Sequence, residues 1–547
     1  MLIKNVLLRE RMGSIHLNFR FFVFFYVFIS IFFNDFPLYS QKSPQKLEKS
    51  SDKKTNNKKI LKLTLEEAIR QVIDNNLTIQ NAKYEIVKSD SEYLKNESKY
   101  AWKALGEVQY FQTVLPNNRV NYFSGNKQQN NKYSVGVEKQ FETQTYIKIE
   151  GSTVRYDSNA FESDFIPQQF KILAIRPLYT GALSFTISQE LLKYSFGKTD
   201  KNTKKILKAK SIIKVDEMIY TLTNLVAQSL VQYWTIGILD SSVQTYQKLL
   251  QNTKNIRNIT ARKKNIGLAE RFEVNQWNSV VHEIEIKLEN AKRERDEAKR
   301  NLVRILNVDP ASEISGVTDL TTALPNDINL ERDINYAYEH RIDLKNLKRE
   351  MEISKLSVEN ALNDQLPSLK LSATYSTRGQ TVNSSMYNFY FNNQGVSSLR
   401  YPESRADLNF SYPLWDEGVK SKIRDERSQE KQLQIRENNL KKEIRDDIVS
   451  AYDGILASHK ILKTSQTTEA ETDRFYNGIL KGYGQGRFSA IAVKNALDSN
   501  IQAKLGAIQS KINYNINLLR YDLAKNYLFE KYGIDVYKII DSLKTKK

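Results

Sequence analysis

One short pattern occurs twice in this 547-residue chain. The first copy begins Leu65-Glu66-Glu67-Ala68-Ile69 and continues through Val72, Asn76-Leu77 and Ile79 to Asn81-Ala82. The second begins Leu330-Glu331-Arg332-Asp333-Ile334 and continues through Ala337, Arg341-Ile342 and Leu344 to Asn346-Leu347. Each copy is followed by a strand-like stretch, a long insertion, a second strand-like stretch and two very long helical segments. Two tandem copies of one unit define a repeat architecture, so 547 residues need not mean several ordinary domains.

The helical segments exclude a single globular core. Residues 199–262 hold no Pro and one Gly, and 268–307 are similar. The second half repeats this over 417–480 and 488–532. Apolar residues recur at helical steps, as in Leu440, Ile444, Ile448, Ala451 and Ile455. A helix of about 64 residues spans roughly 96 Å at 1.5 Å per residue. Helices of that length bury an apolar stripe only by pairing side by side as coiled coils. Asn265-Ile266-Gly267-Leu268-Ala269 separates one pair and Gly482-Tyr483-Gly484-Gln485-Gly486-Arg487-Phe488 the other. Glycine at such a break accepts the left-handed turn that reverses the chain, so each pair is an antiparallel hairpin.

The strands alternate strictly. Leu369, Leu371, Ala373 and Tyr375 interleave with Lys370, Ser372 and Thr374; Leu183, Phe185 and Ile187 with Ser184 and Thr186; Ala406, Leu408, Phe410 and Tyr412 with Asp407, Asn409 and Ser411. One apolar and one polar face fit a half-buried soluble sheet or a transmembrane barrel. Aromatic residues crowd these segments (Tyr375, Tyr387, Phe389, Tyr401, Phe410, Trp415), as interfacial girdles require. One strand pair per repeat gives four strands, within about 105–193 and at about 368–377 and 405–414. Four strands cannot close a membrane barrel, so several chains must contribute. The first inter-strand segment is 42 residues longer than the second, since the repeat offset falls from 265 to 223. It holds a hairpin-like signal, Tyr133–Gln140 and Tyr146–Tyr156, which extends the sheet or lies outside it.

Residues 1–40 read as a secretory signal: Lys4, Arg9, Arg11 and Arg20 precede an apolar run from Phe21 to Phe33, too short for a spanning helix of about 20 residues. Residues 41–62 read as a Lys-rich linker, 311–327 as a second linker between repeats 63–310 and 328–535, and 536–547 as a basic tail. The net charge is +19. The first 62 residues carry eight of those charges: +2 from 1–40 and +6 from 41–62. The remainder is interspersed with acids, with no basic stripe interleaved with aromatics, which argues against nucleic-acid binding. The absence of cysteine removes disulfides, thiol chemistry and Cys-based metal sites. The four histidines (His16, His282, His340, His459) lie in no metal or triad spacing, and no phosphate loop is present. The residues therefore point to no catalytic role, cofactor or metal.

In order and duplication these segments resemble the TolC family of outer-membrane efflux and secretion channels. Leu63-Thr64-Leu65-Glu66-Glu67-Ala68-Ile69 to Asn75-Asn76 looks like that family's opening helix. Leu366-Pro367-Ser368-Leu369 looks like its helix-to-strand junction, Tyr412-Pro413-Leu414-Trp415-Asp416 its strand-to-helix junction and Asn265–Ala269 its hairpin tip. The resemblance covers about 61–535. It implies a mainly α fold with a transmembrane β part: long coiled-coil hairpins forming a trimeric periplasmic α-barrel, and a shared twelve-stranded outer-membrane β-barrel. It further implies a homotrimer in outer-membrane lipid of a diderm bacterium. Partners would be a periplasmic adaptor (membrane fusion) protein and an inner-membrane RND or ABC-type transporter, in efflux or type I secretion.

By position, Gly267, Leu268, Ala269 and Phe272 would face the adaptor, with Gly486, Arg487, Phe488 and Ser489 in the second half. Six residues past each tip glycine the family usually carries Asp. Here Glu273 substitutes in the first half, whereas the aperture region of the second has Ala492, Lys494 and Asn495, so an acidic ring there is expected to be missing. The first helix-to-strand junction also lacks its Pro, reading Ala104-Leu105-Gly106. The competing reading is a pore-free periplasmic or surface coiled-coil protein, which explains the helices but not the alternating strands.

Overall fold

A computed structural model describes residues 60–62, 65–309, 313–315, 320–382 and 401–537, apart from 117, 120, 163, 165, 175 and 176. The expected signal, nearly all of segment 41–62, most of the C-terminal tail and the aromatics of 383–400 lie outside the described residues. In chain order the elements are β1 (Ile60–Lys62), α1 (Leu65–Asn75), α2 (Leu77–Val87), α3 (Ser91–Glu97), β2 (Lys103–Val114), β3 (Lys127–Gln140), β4 (Thr145–Ser158), β5 (Leu178–Glu190), α4 (Lys198–Asn265), α5 (Arg271–Leu306), β6 (Glu313–Ser315), α6 (Leu330–His340), α7 (Ile342–Asp364), β7 (Ser368–Val382), β8 (Tyr401–Ser411), α8 (Glu417–Gly484) and α9 (Ala490–Ala524), joined by short helical turns. β1 and β6 form a small parallel pair.

The internal duplication is visible in backbone angles. Asn76 breaks α1 from α2 at φ −63°, ψ 126°; Arg341 breaks α6 from α7 at φ −64°, ψ 128°. The chemistry holding the two breaks differs. The Asn76 side chain caps α2 by accepting from the Thr78 and Ile79 amides, and its Nδ2 donates to the Ile305 carbonyl at 2.8 Å. Arg341 instead pairs with Asp343 at 2.7 Å and with Asp447 of α8 at 2.9 Å. Both long helices have 68 residues, about 102 Å each. Each returns through a shorter helix of 36 or 35 residues.

Four apolar clusters run along the helices, the smallest formed by Val243, Leu288 and Ala291 of α4 and α5. In the first, Ile69, Val72, Ile79 and Ile86 pack on Val226, Leu230, Leu302 and Leu306 of α4 and α5. The corresponding contact of the second half joins Ile334, Ala337 and Leu344 to Ile444, Ile448 and Ile455 of α8 and Tyr514 and Tyr521 of α9. The third links all four long helices near the tips through Ile256, Trp277, Val280, Tyr483, Val493 and Leu497. α9 stops at Ala524, short of the expected 532, because Asn526 takes a left-handed φ of 59° and the Tyr527 amide turns back to the Asp522 carbonyl.

The sheet corrects the expected strand number. Among the described residues it has six antiparallel strands in the order β2-β3-β4-β5-β7-β8, not four. The extra two are the hairpin-like segment, which lies within the sheet between β2 and β5. All neighbouring pairs are in continuous register. One transverse row reads Ala104, Val137, Ile149, Phe185, Tyr375 and Ser404. The next row, pointing to the other face, reads Lys103, Glu138, Lys148, Thr186, Thr374 and Arg405. One face is therefore apolar and the other charged and hydroxylated. On the apolar side Val108, Val137, Ile149, Phe185, Tyr375 and Phe410 are all more than a third exposed. No helix is long and apolar enough to cross a membrane among the described residues.

The β3–β4 turn lies at the end of the sheet where the helices begin. Lys204 of α4 holds Glu142 at 2.6 Å and Glu97 at 3.1 Å, and Gln144 donates to Asp200. Gly197, just before α4, has a φ of +70°, and a Cβ there would strike the Glu142 carbonyl. Gly197→Ala is thus expected to destabilise the junction by well over the ~1 kcal/mol of a positive-φ alanine, because backbone must also move. Gly506→Ala, inside α9 with open space around it, should instead stabilise by about 0.5–1 kcal/mol. Urea unfolding followed by circular dichroism measures both.

Candidate functional site: the paired hairpin tips

Both helix reversals use the same local device. In the first, Gly267 has φ +76°; its amide donates to the Lys264 carbonyl at 3.1 Å, and the Leu268 amide donates to the Lys263 carbonyl at 2.8 Å. In the second, Gly486 has φ +81°; its amide donates to Tyr483 at 3.1 Å, and the Arg487 amide donates to Gly482 at 2.9 Å. These are paired 5→2 and 6→1 closures with glycine at the left-handed position. No atom lies within 4 Å of a Cβ built on either glycine, so backbone geometry rather than crowding selects glycine there.

The expected contact residues lie together on these turns, but they do not present the same surface. In the first tip Leu268 and Phe272 point into solvent at 71% and 64% exposure, beside Ala269 and Glu273, which are half-buried. In the second, Arg487 and Ser489 are exposed. Ser489 Oγ caps α9 by accepting from the Ala492 amide at 3.3 Å. Phe488 turns back on its own helix: a Cβ at Gly482 would meet its Cδ2 at 2.5 Å and Cε2 at 2.6 Å. In the aperture region Asn495 is exposed and Ala492 half-buried, while Lys494 is occupied by Asp498 at 2.9 Å. That ion pair leaves the segment without a free acidic group.

Sequence reasoning placed Tyr483 in the break; the structure places it in the last turn of α8, buried at 2% exposure. It joins the two hairpins. Its hydroxyl lies 2.6 Å from Thr260 Oγ1 of α4, and Lys263 stands 4.2 Å over its ring while donating to its carbonyl. Burial, with the nearby Glu273 carboxylate, pushes the Tyr483 phenol above its ordinary range, so the hydroxyl stays protonated. The one sequence signal for this role is an aromatic residue set between two glycines.

Two further contacts tie α8 to α9. Asp473 receives Lys504 at 2.7 Å and Asn500 at 3.2 Å, and the Lys504 ammonium holds the carboxyl below its usual range. The three histidines among the described residues stay apart. His282 is exposed beside Glu285, His340 stacks on Tyr336 with centroids 3.9 Å apart, and His459 leans on Tyr514. Among the described residues no three His, Cys, Asp or Glu are disposed to hold a metal ion.

Solved structures with this arrangement exist, though no family model and no curated protein matches the sequence. The chain superposes on the Campylobacter jejuni CmeC outer membrane channel at a TM-score of 0.61 and 14% identity, covering 93% of this chain and 97% of that one. CusC, described in its transmembrane channel form, aligns at 0.62 and 11%, covering 89% and 98%. The Vibrio cholerae outer membrane protein VceC aligns at 0.61 and 11%, covering 84% and 95%. The chain therefore has the fold of these outer-membrane channels, which is the general kind of fold that the TolC resemblance implied.

Tyr483→Phe should weaken the joint between hairpins by about 1 kcal/mol and no more, because Thr260 keeps its bond to the Ile256 carbonyl at 2.9 Å. Tyr483→Ala should cost about 3–5 kcal/mol by emptying a buried site. Distances between spin labels on α4 and α8 near the tips report both.

Proposed function

We propose that the protein is the outer-membrane exit duct of a tripartite efflux or type I secretion system, working as a passive homotrimer. The observation that carries this reading is the sheet: an apolar face running across all its strands, a polar opposite face, and two edges, β2 and β8, unpaired among the described residues. A soluble scaffold has no use for that face, whereas hydrocarbon outside and water inside require both. The side chains Ile435, Leu456, Ile461 and Phe475 of α8, each at least 40% exposed in the single chain, support packing against a further copy. The pore-free coiled-coil alternative leaves the sheet unexplained.

In this reading the helices continue the duct through the periplasm and close it at the tips. The closed state is held by coiled-coil packing and by the Thr260–Tyr483–Lys263 joint. Opening moves one hairpin against the other, a two-state change that a partner biases by binding one arrangement better. That partner is a periplasmic adaptor linking the duct to an RND or ABC-type pump. The tips carry Arg262, Lys263, Lys264, Arg271, Lys481 and Arg487 against Glu270 and Glu273, six basic groups to two acidic. The adaptor surface that fits them is acidic with apolar sockets for Leu268 and Phe272.

Two outcomes test this assignment. Gly267→Asp and Gly486→Asp, which place a carboxylate at positive φ on the proposed docking surface, should leave the assembled trimer intact and abolish export. Unchanged export in both variants removes the tips from the docking site. Adaptor affinity, measured by surface plasmon resonance, should also fall at least tenfold between 50 and 500 mM salt, since screening shortens the reach of the basic tip.

A further inference from the structure

We infer that the β3–β4 hairpin is a structural part of the membrane wall, so that three copies of this chain close an eighteen-stranded barrel. This rests on the outer-membrane channel reading above and revises its strand number. Two observations and one estimate of width carry it.

The hairpin is in phase with the wall on both faces. Val137 and Ile149 fall in one apolar row with Phe185 and Tyr375, and Glu138 and Lys148 fall in one polar row with Thr186 and Thr374. A segment folded outside the barrel needs no such alternation, and a slip of one residue would put its charges in lipid. The hairpin is also seated at its base: its four-residue turn is held by Lys204, Gln144 bonds Asp200, and Gly197 lacks a side chain where Glu142 passes.

Width gives the third argument. Four helical segments meet the sheet in each chain: α3, α4, α7 and α8. Helices packed side by side at 8–10 Å span about 32–40 Å. Six strands about 4.8 Å apart and tilted about 40° span about 38 Å, whereas four span about 25 Å. The added hairpin matches the sheet to the helices beneath it at an ordinary tilt. Three such sheets give a wall about 36 Å across, backbone to backbone, against about 24 Å for twelve strands.

The test compares arginine substitutions in the full-length protein, reading the trimer assembled in outer-membrane fractions. Val137→Arg, Ile149→Arg and the reference Phe185→Arg should each lower it at least tenfold, and Ser152→Arg, on the polar face, should leave it within twofold of the parent. Normal assembly of Val137→Arg and Ile149→Arg beside a failing Phe185→Arg overturns the inference while keeping the channel. Normal assembly of Phe185→Arg overturns the membrane-wall reading itself.

A second measurement does not depend on these variants folding, and the cysteine-free chain suits it. An Ile149→Cys, Phe185→Cys pair should form a disulfide in the assembled protein, because these are register partners. A Val108→Cys, Gly181→Cys pair should not, because β3 and β4 separate them by about 14 Å, beyond the ~7 Å limit for Cα atoms. The reverse pattern overturns the inference. Native mass spectrometry should find three chains per particle; two chains would give twelve strands and also overturn it.

Discussion

Hydrocarbon offers no partner to a backbone amide, and the rest of this architecture follows from that. A sheet with an apolar face and two free edges can enter lipid only when every edge is paired. β2 and β8 are those edges, and no segment among the described residues of the same chain covers them. Under the proposed closure by further copies, each helical segment that enters the sheet would stand beside the next, so a ring of strands would impose a ring of helices. The apolar residues that the 68-residue helices leave exposed in the single chain, Ile435, Ile461 and Phe475 among them, would find their neighbours there.

The helices were legible because their evidence is local. A stretch of more than sixty residues with no Pro and a period near 3.6 allows little else, and the reversal at Gly267 was readable because a glycine after a basic last turn has a specific use. β5, β7 and β8 were equally clear, since Phe185, Tyr375 and Phe410 sit in strict alternation. β3 was harder. Its first residues, Lys127-Gln128-Gln129-Asn130-Asn131, have low strand propensity, and Gly136 on the polar face weakens the strand signal further. Its partners are what define it: Val137 becomes part of an apolar row only beside Ile149 and Phe185. Register across strands is a non-local property that one strand's alternation suggests but does not fix.

At the tips, position in the repeat located the residues but not their roles. Leu268 and Phe488 are the large apolar residues next after their turn glycines, one and two positions on, yet Leu268 stands in solvent while Phe488, still partly exposed, lays one side on Gly482. The difference depends on a missing Cβ six residues earlier, which reads in sequence as one more glycine in a flexible break. Tyr483 was hidden by the same cluster of glycines. The helix continues through Gly482, which is buried, accepts the Arg487 amide on its carbonyl and packs under the Phe488 ring, and ends at the exposed Gly484.

The matched breaks at Asn76 and Arg341 divide the molecule mechanically. The same backbone bend is held on one side by neutral, short-range hydrogen bonds and on the other by a guanidinium shared between two carboxylates, one of them on a 68-residue helix. The neutral break is little affected by salt, whereas ionic screening loosens the charged one. The two halves, alike in path, therefore differ in how firmly their bends are held as ionic strength rises.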